Sequence, residues 1–121
     1  MSDPGNDAPD SVRTRLRREA GRVEAECLAT LERSDGSHVT GTLADLSVTG
    51  LFVTTQARFV VGERLEVTFR LPGARADLRA TIEVRSLRDG NPLDLESRGI
   101  GGMFLDLDDA TKDAIVAFVA G

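Results

Sequence analysis

Two short strings carry most of the chemistry this sequence offers. The first, Arg18-Glu19-Ala20-Gly21-Arg22, sets two arginines four residues apart. The second, Asp45-Leu46-Ser47-Val48-Thr49-Gly50, gathers a carboxylate, a hydroxyl and a glycine. Arginine presents a planar fork of donors that suits phosphate or a guanine edge, and its plane can stack on a ring. Read as a plain turn, the second string has Asp45 and Ser47 bonding nearby amides and Gly50 at a positive φ. Taken together, the strings offer forked cations on a mobile segment and an acceptor ledge on a rigid strand end. That pairing suits a ligand with negative phosphates and a hydrogen-bonding purine.

Enzyme chemistry is poorly represented. His38, the single histidine, follows a Gly-Ser turn and reads as a solvent-exposed loop residue. Cys27, the single cysteine, falls in an alternating apolar row and reads as a small core side chain rather than a nucleophile. One of each excludes an internal disulfide and the common zinc ligand sets. Asp106, Asp108 and Asp109 lie close together, and helix capping accounts for the last two. The Gly99-Ile100-Gly101-Gly102 stretch precedes a strand and lacks a following Lys-Ser or Lys-Thr, so it is not a phosphate loop. No catalytic residue, cofactor or metal site is expected.

The formal net charge of −5 argues against a general nucleic-acid binder, and its distribution is uneven. Residues 1–11 sum to −3, residues 12–22 to +4 and the remainder to −6. The basic stretch uses only Arg13, Arg15, Arg17, Arg18 and Arg22, and Lys112 is the one lysine in the chain. No apolar run is long enough to span a bilayer, and the N-terminus has no secretory leader, so a soluble cytoplasmic protein without a membrane partner is expected. With no Trp or Tyr, and Phe52, Phe59, Phe69, Phe104 and Phe118 read as core, a stacking surface for single-stranded nucleic acid is not expected either.

The elements that must position these strings are short strands. At 121 residues there is room for one domain. Residues 1–12 read as a disordered tail and 13–22 as a flexible arginine arm. Val23, Ala25, Cys27, Ala29 and Leu31 alternate with more polar neighbours, a period of two that predicts a strand. Further strands are expected over Val39–Leu46, with Gly41 a bulge, and over Leu51–Thr55, Arg64–Leu71, Leu78–Val84 and Met103–Leu107. Residues 89–99 read as a polar loop. Asp108 and Asp109 open a helix on which Ile115, Phe118 and Val119 recur at helical spacing. The fold class is all-β: a small six-stranded antiparallel barrel over residues 23–107, a C-terminal helix over 108–120 and a flexible N-terminal arm.

An R-x-x-x-R string followed by [DN]-x-S-x-x-G in an all-β domain of this size resembles the PilZ domain, a bacterial receptor for cyclic di-GMP. The likeness runs from about Arg17 to Val119. Arg18 and Arg22 match the arginine motif, Asp45, Ser47 and Gly50 match the second, and Gly101–Leu107 resembles the family's last strand. The resemblance implies a non-catalytic receptor whose arginine arm orders over the barrel when cyclic di-GMP binds, changing the surface shown to an unidentified downstream protein. It implies ligand contacts at Arg17, Arg18, Arg22, Asp45, Ser47 and Gly50. Arg17, directly before the motif, implies that the ligand is taken as an intercalated dimer. Degenerate family members imply the alternative, an interaction module that does not bind the nucleotide.

Overall fold

The alternation in the sequence becomes the inside and outside of a closed sheet. The computed structural model describes residues 21–89 and 98–121. Six strands, β1 (Val23–Arg33), β2 (His38–Leu46), β3 (Gly50–Thr54), β4 (Arg64–Phe69), β5 (Leu78–Arg88) and β6 (Gly99–Asp106), are followed by helix α1 (Asp109–Ala120). All pairings are antiparallel, and the barrel closes in the order β1-β2-β3-β6-β5-β4. Leu65, Val67 and Phe69 of β4 point inward with Ile82 and Val84 of β5, Leu31 of β1, and Leu51 and Val53 of β3, all of them buried. Each such side chain contributes about 1.5–3 kcal/mol by leaving water, so one inward row per strand outweighs any local turn preference. Ile115 of α1 joins this core, with Phe118 and Val119 packed against it.

Two local expectations need correction. β6 begins at Gly99, four residues before the expected Met103. Its glycines suggest a loop because they lack side chains, yet that lack is what lets neighbours close in: a Cβ on Gly102 would sit 2.5 Å from Ile82 Cδ1, and one on Gly99 would sit 2.2 Å from the Val53 carbonyl oxygen. Gly41 is paired in register with Ala29 and is not a bulge. The irregularity falls instead between Glu24 and Cys27 of β1 and between Leu43 and Asp45 of β2. Glu26 there adopts φ 51°, the left-handed region. Such a bulge bends its strand and sharpens the twist next to the end of β2 that carries the acidic string.

Asp108 caps α1 as expected, its carboxylate accepting the Thr111 amide at 2.7 Å. The backbone and side-chain bonds from Thr111 hold the Asp108 carboxyl below the usual aspartate range. A carboxyl depressed in the folded state stabilises above its unfolded pKa, and that support is lost as pH falls through the folded value. Asp108→Ala is therefore expected to lower the thermal midpoint at neutral pH, and its difference from the parent should narrow as the pH is taken below about 4. A pH-independent difference in thermal melts would contradict the capping role.

Candidate functional site

Register, rather than sequence distance, brings the two strings together. Because Val23 pairs with Leu46 and Glu24 with Asp45, the chain just before β1 lies beside the end of β2. Gly21, at φ 75°, turns the backbone into β1 there, a conformation that favours glycine. Arg22 Nη1 then donates to Asp45 Oδ1, forming an ion pair across 23 residues of sequence. Both side chains remain about a third exposed, 38% and 30%, so the pair adds little to stability and stays open to a competing ligand.

Arg22, Asp45 and Gly50 line one open cleft of about 350 Å3, together with Phe52 of β3, Arg85, Ser86 and Arg88 of β5, and Gly101, Gly102 and Met103 of β6. Its floor is a row across four strands, in which Asp45 pairs with Phe52, Phe52 with Gly101, and Gly101 with Ser86. Glycine at 101 leaves that floor bare, since a Cβ would lie 2.4 Å from Ser86 Oγ. Gly50 opens β3 without the positive φ that a plain turn would give it. The position needs glycine for space instead: a Cβ would meet the Gly102 carbonyl oxygen at 2.2 Å.

Ser47 stands behind the cleft. It is 3% exposed, and its Oγ accepts the amides of Thr49 at 3.3 Å and Gly50 at 3.2 Å. The Ser47 amide in turn donates to the Gly50 carbonyl at 2.8 Å. Within the second string, then, Ser47 shapes the turn while Asp45 reaches the cleft and Arg22. Ser47→Ala leaves a buried amide without its acceptor, which costs about 1–2 kcal/mol. Denaturant melts should show that loss in a chain that still folds, and an unchanged midpoint would contradict the role.

Arg17 and Arg18 lie outside the described residues, as do the tail over 1–12 and most of the 13–22 arm. Three contributors escaped the sequence reading. Phe52, read as core, is indeed buried at 9% exposure, but on the outer face of β3: Leu51 and Val53 fill the barrel interior, and Arg88 covers the ring, its guanidinium carbon 4.1 Å from the ring centroid. Arg85 and Arg88 of β5 belong to neither of the two strings. The clue was the break in alternation after Val84, where the β5–β6 register shifts between Val84 and Ser86. Arg85 Nη1 lies 3.4 Å from Met103 Sδ. Cys27 is half-buried, and burial with the neighbouring Glu26 charge pushes its thiol pKa up, which disfavours a nucleophile. Among the described residues no cluster of three or more His, Cys, Asp or Glu could hold a metal ion, and no helix is long and apolar enough to cross a membrane.

The family profile described as the PilZ domain matches residues 16–121. Among solved structures, the chain is similar to the inhibitor of motility (MotI/DgrA) of Bacillus subtilis, with 16% identity and a TM-score of 0.70 over 82% of this chain and 47% of that one. It is similar to the PilZ domain of YcgR from Escherichia coli, solved with cyclic di-GMP, at 15% identity and a TM-score of 0.63 over 82% and 86%. It also resembles the PilZ domain of CeSA from a cellulose-synthesizing bacterium, at 25% identity and a TM-score of 0.57 over 83% and 95%. The chain thus spans about half the length of the motility inhibitor and nearly all of the two isolated domains. No curated protein matches it.

Proposed function

The chain belongs to the PilZ domain family, and from that premise we propose that it is a non-catalytic cytoplasmic receptor for cyclic di-GMP. The observation that carries the reading is the meeting of Arg22 and Asp45 at the mouth of one cleft, where the ends of the arginine and acidic strings share a ligand-sized space. The cyclic di-GMP held by the YcgR domain is the ligand this chemistry suits. Arg17, Arg18 and Arg22 supply forks for phosphates and for guanine O6 and N7. Asp45 accepts from guanine N1–H and N2–H, which adenine cannot match. Ser47 and Gly50 hold the ledge in shape and let the backbone come close. The arginine arm over residues 13–22 is drawn onto the barrel over residues 23–107 as the nucleotide enters, with the helix over 108–120 closing the domain. An Arg17-containing arm takes the ligand as an intercalated dimer.

Magnitudes set what binding requires. Ordering about six arm residues costs roughly 6–12 kcal/mol in backbone entropy. Charge-assisted hydrogen bonds return about 1.5–3 kcal/mol each. Several must form together, with stacking, to leave the roughly 8 kcal/mol of micromolar binding. A transition that cooperative changes the surface offered to a downstream protein, which is the output of the receptor.

Calorimetric titration with cyclic di-GMP should show saturable binding that weakens with added salt, since the ligand carries two negative charges. Protease cleavage near Arg15–Arg18 should slow when the nucleotide is present. Binding without any change in cleavage would refute the arm movement. No binding at all would leave the interaction-module alternative.

A further inference from the structure

Two arginines of the described chain sit on phenylalanine rings, and the contrast between them is informative. Arg33 lies 4.3 Å from the Phe59 centroid, but its guanidinium is already engaged, with Nε 3.2 Å from Glu63 Oε2 and Nη2 donating to the Arg58 carbonyl. That stack is structural. Arg88 lies as close to Phe52, is exposed at the surface, and has no acidic partner among the described residues. Beneath it, Phe52 rests against β6 where glycines leave room: a Cβ on Gly99 would come within 3.0 Å of the Phe52 ring, and one on Gly101 within 3.9 Å. The layers are thus bare β6 backbone, aromatic ring, guanidinium plane and then open cleft. Arg88 lines the cleft with its plane held on a ring and with no acidic group among the described residues competing for it.

We propose that Arg88, backed by Phe52, is a further ligand-binding residue, a stacking plate for one guanine of the bound nucleotide. This deepens the proposed receptor function and rests on it. A guanidinium plane attracts a purine face and tolerates any base, so Arg88 contributes affinity while Asp45 contributes base choice. Phe52 is a positioning residue that keeps the plane from collapsing into solvent conformers. Arg85, in the same cleft with the Met103 thioether as its partner among the described residues, adds positive charge without a plane held on a ring.

The test is calorimetric titration of cyclic di-GMP into the parent, Arg88→Lys, Arg88→Ala and Phe52→Leu chains. Base stacking on such a plate corresponds to roughly a tenfold to hundredfold change in affinity. Arg88→Lys and Arg88→Ala should each lose that much, because lysine keeps the charge and loses the plane. Phe52→Leu should weaken binding and be non-additive with Arg88→Ala. If the parent binds and Arg88→Ala binds equally well, the plate is wrong and the receptor reading survives. If Arg88→Lys matches the parent, charge alone acts and the plate is also wrong. If the parent itself does not bind, the receptor reading fails and takes this inference with it. Arg88 is exposed, so its variants should fold even should Phe52→Leu not, and they decide the matter alone.

Discussion

Arg22→Ala is expected to weaken cyclic di-GMP binding by two orders of magnitude or more while leaving the thermal midpoint almost unchanged. The separation follows from where the side chain sits. Its ion pair with Asp45 is partly exposed on both sides, so solvent screening limits its stabilising worth to about 1 kcal/mol or less. In the complex the same guanidinium is asked to make two charge-assisted bonds to the nucleotide, worth about 1.5–3 kcal/mol each, and every 1.4 kcal/mol is tenfold in affinity. Removing it also takes from the cleft the cation nearest to the acidic ledge. Parallel melts and titrations check both halves. A large drop in midpoint would make Arg22 a structural residue, and an affinity within threefold of the parent would remove it from the ligand site.

Gly50→Ala should be the most damaging single-methyl change in the cleft. The added carbon would lie 2.2 Å from a backbone oxygen of Gly102 and 3.2 Å from its carbonyl carbon. A flexible side chain could swing away from such a contact, but β6 backbone cannot without breaking its ladder with β3. Overpacking of this kind costs about 1–3 kcal/mol where neighbours can give, and here the cost is about 3 kcal/mol or more. In a domain of this size that lowers the melting midpoint by roughly 10 °C or more, with loss of binding alongside. Gly102→Ala meets the buried Ile82 side chain instead, its terminal Cδ1 at 2.5 Å and its Cβ at 3.2 Å, and should cost less because a side-chain end can shift where backbone cannot. Equal effects of the two substitutions in thermal melts would contradict the distinction between backbone and side-chain obstruction.

Much of the barrel was legible because burial imposes a period of two. Arg64–Phe69 alternates without a break, and the start of α1 announces itself through Asp108. What escaped was each place where the local rule yields to a neighbour. The glycines that begin β6 look unstructured until the Val53 carbonyl and the Ile82 side chain are seen pressing on them. The bulge at Glu26 shifts the β1–β2 register with no signature in residue type, and the shift beyond Val84 shows only as a lost alternation. Of the candidate site, the sequence put Arg22 and Asp45 on one ligand but not in contact with each other, since only the β1–β2 pairing joins positions 23 residues apart. Phe52 is buried as expected, but its place on the outer face beside the cleft was not legible, because an aromatic residue in a strand usually faces the core. Its two flanking positions, Leu51 and Val53, already fill that face, and this was the available clue.

The most direct test of the shared cleft is to titrate isotope-labelled protein with cyclic di-GMP and follow its backbone amide resonances. Saturable shifts at Arg22, Asp45, Gly50 and Gly101, together with changes over residues 13–18, are the predicted result. Saturable shifts confined to the cleft on the neighbouring face, around Glu26, Thr40 and Thr42, with Arg22 and Asp45 unmoved, would contradict it.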